Sequence, residues 1–226
     1  AAVQPKILDF NNKQHFEYAG AAGGFLDQFG YPYCRGRVFN TLETDTGQYD
    51  DPCDVFWATG ACFLIRSEVF RELGGFDASF FAHMEEIDLF WRLHSSGKKA
   101  ACIPASRVYH VGGGTLHKSS HRKTYLNFRN NLRLIIKNLP VSQLWFVLPI
   151  RVLLDWLAAF VFWKNESFSH FKAIFKAHFD VLKTLSTDWS KTERSQPTLD
   201  NQPTVNLLFQ YYFRKKKTFK EINNTK

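Results

Sequence analysis

The stretch Phe80-Phe81-Ala82-His83-Met84-Glu85-Glu86-Ile87-Asp88-Leu89-Phe90-Trp91-Arg92-Leu93 decides how the chain is read. Three carboxylates fall within four residues at the head of an apolar pattern of helical period. On an ideal helix over 85–95, Glu86 shares its face with Leu89, Phe90 and Leu93. Glu85 and Asp88 fall on the neighbouring face, where Asp88 can pair with Arg92. Gly74-Gly75-Phe76-Asp77 marks a turn ahead of the stretch, and Gly97 ends the helix. A carboxylate leaning into a partly apolar cleft suits a general base, while a helix N-terminus favours the ionised form. Acids in a first turn also complement the helix dipole with no chemistry at all, and residue types alone leave both readings open. Downstream, His110 arrives in Tyr109-His110-Val111-Gly112-Gly113-Gly114, either as a hydrogen-bonding residue or as one metal ligand.

Working outward, residues 1–8 read as the end of a strand or the loop after one. Gly20-Ala21-Ala22-Gly23-Gly24 is flexible but lacks the spacing of a phosphate-binding fingerprint. From Phe25 to Gly47 no period of 2 or 3.6 is sustained, which predicts a long functional loop with a short helix at best. Within it, Arg35-Gly36-Arg37 meets a phosphate or is simply solvated. Val55 to Arg66 is the best strand candidate, with Gly60 inside it. Ser67 to Leu73 fits a short helix with Ser67 as N-cap and Gly74 as stop. A strand follows over Lys98–Pro104, and Arg107–Val111 leads into the glycine run. Residues 121–139 form a helix whose Tyr125, Phe128, Leu132, Ile135 and Leu139 repeat on one face, with Arg122, Asn127, Arg129, Asn130 and Arg133 exposed. His117 and His121 read as solvated. The alternation of strands and helices is α/β.

These pieces, in order, resemble the C-terminal half of family 2 glycosyltransferases, nearest to the rhamnosyltransferase-like bacterial branch with a GT-A fold. Trp57-Ala58-Thr59-Gly60-Ala61, Arg66, Gly74-Gly75-Phe76-Asp77, Phe80-Phe81, Glu85-Glu86-Ile87-Asp88-Leu89, Arg92-Leu93, Gly97 and His110-x-Gly-Gly carry the likeness over about residues 1–138. The resemblance implies an inverting transfer of a sugar from a nucleotide-sugar donor to a hydroxyl of a glycan or lipid-linked acceptor, in bacterial cell-surface glycan synthesis. It implies a base at Glu86, with Glu85 beside it because the usual Glu-Asp is Glu-Glu here, and a third acid at Asp88. It implies a divalent cation, Mg or Mn, held partly by His110, and an acceptor pocket near Trp57, Thr59, Gly60 and Arg92. The family's donor-binding half with its Asp-x-Asp motif is expected before Ala1, since Asp9, Asp45, Asp50 and Asp51 do not follow an apolar strand. The chain therefore reads as a fragment that is inactive alone, and the competing reading is a non-enzymatic, membrane-associated scaffold or carbohydrate-binding remnant.

After Pro140 the character changes, and residues 139–226 read as a helical, basic extension of the catalytic domain. The formal charge of the chain is +8, of which residues 1–138 carry only +2. Leu144 to Trp163 is apolar apart from Arg151 and Asp155, spaced to pair on one helix face, and is interrupted by Pro149. Phe168 to Leu185 places Phe168, Phe171, Phe175, Leu182 and Leu185 on one face with Lys172, Lys176 and Lys183 off it, the pattern of a helix lying in a membrane interface. Residues 186–203 read as a polar linker, and Val205–Phe213 with Arg214-Lys215-Lys216-Lys217 as a second patch for anionic lipid. The expected location is cytoplasmic, on the inner face of the cytoplasmic membrane, with a spanning helix within 144–163 as the other possibility. Four cysteines without paired spacing fit a reducing compartment, and no nucleic-acid module is present.

Overall fold

A computed structural model describes residues 1–112, 120–190 and 205–223, and shows a mixed α/β chain divided into two compact units. The first unit comprises Ala1–Phe76, Leu89–Gly112 and the C-terminal segment from Thr198; the second comprises Asp77–Asp88 and Gly113–Pro197. The chain thus divides differently from the expected boundary at 138/139, because residues 205–223 belong with the first unit.

In the first unit, β1 (Ala2–Asp9) is a strand in the interior of its sheet. It pairs parallel with β8 (Ala100–His110) and antiparallel with β7 (Leu64–Ile65), and β6 (Cys53–Val55) closes the far side of β8. The strand expected at 98–104 runs on to His110, through an irregularity. Pro5 pairs with Ile103 but Lys6 with Arg107, a slip centred where neither Pro5 nor Pro104 has an N–H to give. Lys6 is fully buried on β1 and its ammonium is held by Asp45, at 2.9 Å to each oxygen, and by Asp50.

The expected loop at 25–47 is instead an antiparallel meander, β2 (Gly24–Leu26), β3 (Pro32–Cys34), β4 (Arg37–Val38) and β5 (Thr41–Leu42). Strands of two or three residues are too short to display a period, so no alternation was there to read. Arg35 and Arg37 are buried, not solvated: Arg35 donates to Asp51 at 2.6 Å and to Cys53 Sγ, and Arg37 to Cys34 Sγ. Val205, Leu207, Tyr211 and Ile222 pack on Tyr33 and Val38 of this meander. Of the aromatic patch expected to meet lipid, Tyr211 is taken into this core, while Phe209, Tyr212 and Phe213 stay exposed on a π-helical turn at Phe209–Phe213, ahead of a short helix, Phe219–Asn223.

The single strand expected over Val55–Arg66 is broken between β6 and β7. Phe56 and Trp57 both donate to Gly24 O, and the chain then turns at Thr59–Cys62. The close approach requires glycine: a Cβ on Gly24 would lie 2.1 Å from the Trp57 indole, and one on Gly20 2.3 Å from Thr59 Cβ. Helix α1 (Ser67–Glu72) forms as expected, with Arg66 rather than Ser67 at its N-cap.

Helix α2 (Glu85–Ser95) has its expected bounds, and the two units divide within it. In the second unit, α3 (His121–Asn138), α4 (Val141–Asn165) and α5 (Phe168–Ser190) pack on one another. Pro149 does not interrupt α4: its ring forfeits one backbone bond and the helix runs on. Arg151 Nε donates to Asp155 at 2.8 Å, as the four-residue spacing predicts, and both are buried. His178 Nδ1 accepts from Trp156 Nε1 at 3.1 Å, which leaves the Nε2 hydrogen for Asp155 Oδ2 at 3.2 Å. Asp155→Ala would remove the buried carboxylate that Arg151 and His178 share, and the expected loss is about 3–5 kcal/mol of stability by chemical denaturation.

The buried stripe of α5 is His170, Ala173, Ile174, Ala177, His178 and Val181, while Phe168, Phe179 and Leu182 are exposed and Phe171 and Phe175 half-buried. Small side chains let α5 approach α3 closely, which leaves the aromatic side facing out. Helix α4 is long and apolar enough to cross a membrane, and Trp145 and Phe146 on it are about three-quarters exposed. The expected linker lies mostly outside the described residues, as do Gly113, Gly114 and His117.

Candidate active site

The chain reaches the acidic pair through backbone of unusual strain. Phe81, His83 and Met84 have φ of 66°, 69° and 73°, the left-handed region, and none is a glycine. Each costs on the order of 1 kcal/mol or more, so the surroundings must hold them there. The turn starts with Asp77, whose carboxylate accepts from Ser79 N at 2.9 Å and caps a 3-10 turn over Ala78–Phe80.

Helix α3 supplies the restraint. Asn130 Nδ2 lies 2.9 Å from Phe80 O and 2.7 Å from each of Ala82 O and His83 O, so one amide gathers three carbonyls of the strained loop. Arg129 reaches Phe80 O at 2.8 Å and Arg133 reaches Ser79 O at 3.0 Å. The expectation that Asn130 lies on an exposed face is wrong: it is fully buried, and of that set only Arg122 is fully exposed. Asn130-Asn131 at mid-helix is the signal that could have shown this, because asparagine is a poor helix former away from caps.

Beyond the loop the acids divide. Asp88 is fully buried, with Lys137 Nζ 2.9 Å from one oxygen and Asn138 Nδ2 3.0 Å from the other. Glu85 and Glu86 are half-buried in the first turn, and Glu85 Oε2 is enclosed without a hydrogen bond. The apolar stripe read from Glu86 onward is real: Leu89, Phe90 and Leu93 are fully buried in the first unit. His83, two residues ahead of the pair and not singled out in the sequence, has its pKa lowered by burial and by nearby Lys123, and its Nε2 lacks a hydrogen bond.

Lys137 also holds Asp77, at 2.8 Å. Burial pushes the Asp77 carboxyl up, but hydrogen bonds from Lys137 and Ser79 outweigh it and hold it well below the ordinary range. A depressed carboxylate adds stability that is whole above the unfolded pKa of about 4 and is lost as pH falls toward the folded value. Stability should therefore fall below about pH 4, and Lys137→Met should flatten that limb in urea titrations run across pH.

In the first unit, Trp57 is buried with its indole N–H given to Phe25 O at 3.0 Å. Thr59 is buried, taking a Gln4 side-chain oxygen on its N–H at 2.9 Å. Gly60 is exposed with open space where a Cβ would stand. Arg92 donates to the carbonyls of Leu73 and Gly75, the latter at 2.8 Å, and so fastens the glycine turn before the acidic stretch. His110 ends β8, its Nδ1 3.4 Å from Glu17 Oε1 without hydrogen-bond geometry. Among the described residues no group of three or more His, Cys, Asp or Glu is arranged to hold a metal ion. His110 and Glu17 alone do not amount to a cation site.

The strained loop thus delivers an acidic pair at the start of α2 on a mixed α/β chain. A family model described as glycosyltransferase like family 2 matches residues 14–142, more than half of the chain, and the chain belongs to that family. It is 39% identical over 56 residues to an N-acetylglucosaminyl-diphospho-decaprenol L-rhamnosyltransferase of Mycobacterium tuberculosis, a stretch covering 25% of this chain and 18% of that protein. Over 107 residues it is 29% identical to the O-antigen biosynthesis protein RfbC of Myxococcus xanthus, covering 47% of this chain and 8% of the relative. A crystal structure of GalNAc-T7 with UDP, GalNAc and Mn2+ aligns at a TM-score of 0.46 and 17% identity, over 81% of this chain and 36% of that one. The matched stretches span less than a fifth of the curated relatives.

Proposed function

We propose that this chain is the acceptor-side part of an inverting GT-A glycosyltransferase of the rhamnosyl or hexosyl type. It moves a sugar from a nucleotide-sugar donor to a hydroxyl of a glycan or lipid-linked acceptor, in cell-surface glycan synthesis at the inner face of the cytoplasmic membrane. The observation that carries the reading is the pair Glu85-Glu86, delivered by three left-handed residues that Asn130 clamps. Strain of this kind persists where a site needs a fixed geometry.

In this reading Glu86 takes the proton of the acceptor hydroxyl as its oxygen attacks the anomeric carbon. Attack comes from the face opposite the leaving diphosphate, so the configuration inverts. Glu85 stands beside it as the alternative base, and Asp88, tied to Lys137 and Asn138, anchors the helix start. Trp57, Thr59, Gly60 and Arg92 are assigned to the acceptor by the family motif they match, and Arg92 also braces the turn at Leu73 and Gly75. A divalent cation enters only through His110, as one ligand of a set that the described residues do not complete. The test is sugar transfer by the full-length protein from a panel of labelled nucleotide sugars, with donor binding measured separately. Donor turnover that Glu86→Gln and Glu85→Gln leave untouched would refute the assignment.

A further inference from the structure

Between the first turn of α3 and α5 lies an open cavity of about 390 Å³, lined by His121, Arg122, Tyr125, Ser169, Lys172 and Lys176. Three of these are permanent cations, and the carboxylate close by, Asp180, accepts from Tyr125 at 2.8 Å and pairs with Lys176. The charge is placed against local preference. His121, Arg122 and Lys123 open α3 with no acid in its first turn, where the helix dipole disfavours cations. Helix α5 likewise opens without an acid. A positive cavity at a helix start is a site for an anion with several acceptor oxygens.

Its neighbours define what bears the anion. On one side the exposed aromatic faces of α4 and α5 continue away from Lys172, whose ammonium lies 5.4 Å from the Phe168 ring. On the other, Arg122 lies over the exposed Phe81 ring at 5.5 Å, four residues before Glu85. The cavity therefore stands between an apolar surface and the loop that carries the acidic pair.

We propose that this cavity binds the phosphate ester of a membrane lipid headgroup, through Arg122, Lys172 and Lys176. The lipid is either the lipid-linked acceptor, held with its sugar toward the acidic pair, or bulk anionic phospholipid. The proposal rests on the membrane reading above. The helix pair supplies apolar contact, and the cavity adds selectivity for phosphate.

The experiment is co-sedimentation of the full-length protein with vesicles of phosphatidylcholine alone, with phosphatidylglycerol added, or with a polyprenyl phosphate added. The expected result is binding to all three, tighter with either phosphate-bearing lipid. Arg122→Gln with Lys172→Gln should erase at least about tenfold of that gain and leave binding to phosphatidylcholine unchanged. Lys164→Gln with Lys183→Gln, equal in charge but outside the cavity, should keep the gain. A larger gain from polyprenyl phosphate assigns the site to the acceptor, and an equal one to bulk lipid. Equal losses from the two double variants would overturn the site in favour of diffuse charge while leaving the membrane reading standing. No binding to any vesicle would overturn both. Competition by inorganic pyrophosphate at a protein that gains nothing from lipid phosphate would reassign the cavity to a soluble anion.

Discussion

Glu86→Gln is expected to lower kcat for sugar transfer by about 100- to 10,000-fold, the usual worth of a positioned general base. Glutamine keeps the length and shape of the side chain, so the helix start should survive and donor affinity should not move. The loss should appear in kcat and kcat/KM together, as for an interaction made only in the transition state. Glu85→Gln should cost less, because Glu86 and not Glu85 shares the face of the buried stripe of Leu89, Phe90 and Leu93. Equal losses from the two would mean that the pair acts as one unit. A larger loss from Glu85→Gln would move the base by one residue, as the enclosed Glu85 Oε2 allows.

Asn130→Ala should be the most damaging change on α3 for both stability and rate. It removes the amide from three carbonyls at once and releases a loop with three left-handed residues. The amide shares two hydrogens among the three carbonyls, each hydrogen bond is worth about 1 kcal/mol net and a carbonyl left enclosed costs more, so about 2–3 kcal/mol is expected in urea denaturation. Asn127→Ala, at a half-buried position on the same helix, should cost less, about 1 kcal/mol or under. If Asn130 holds the acids in place, kcat of the folded variant should fall while donor KM stays put. A stability loss with kcat unchanged would make Asn130 a purely structural residue.

Much of the candidate site was legible because it is written locally. The bounds of α2, the three acids in its first turn, the buried stripe behind Glu86 and the Arg151–Asp155 pair all follow from helical spacing. Partners across the chain were not legible. Asp88 meets Lys137 and Asn138, about fifty residues away in sequence, and the loop carbonyls meet Asn130 at a similar remove. That α5 packs through the side bearing Ala173 and Ala177 was not legible either, because small side chains carry little hydropathy signal although they allow a close approach to α3.

By itself the sequence determined the α/β class, the family resemblance and the acidic helix start, because period, order and spacing are properties of the chain alone. Only the tertiary structure decided that Val205, Leu207 and Tyr211 complete the core of the β-meander, and that Arg35 and Arg37 are spoken for. It also decided that an asparagine on a distant helix fixes the loop before Glu85. The reason is physical: a buried polar group must find its partner, and which partner reaches it depends on the close packing of the whole fold, not on neighbours in sequence.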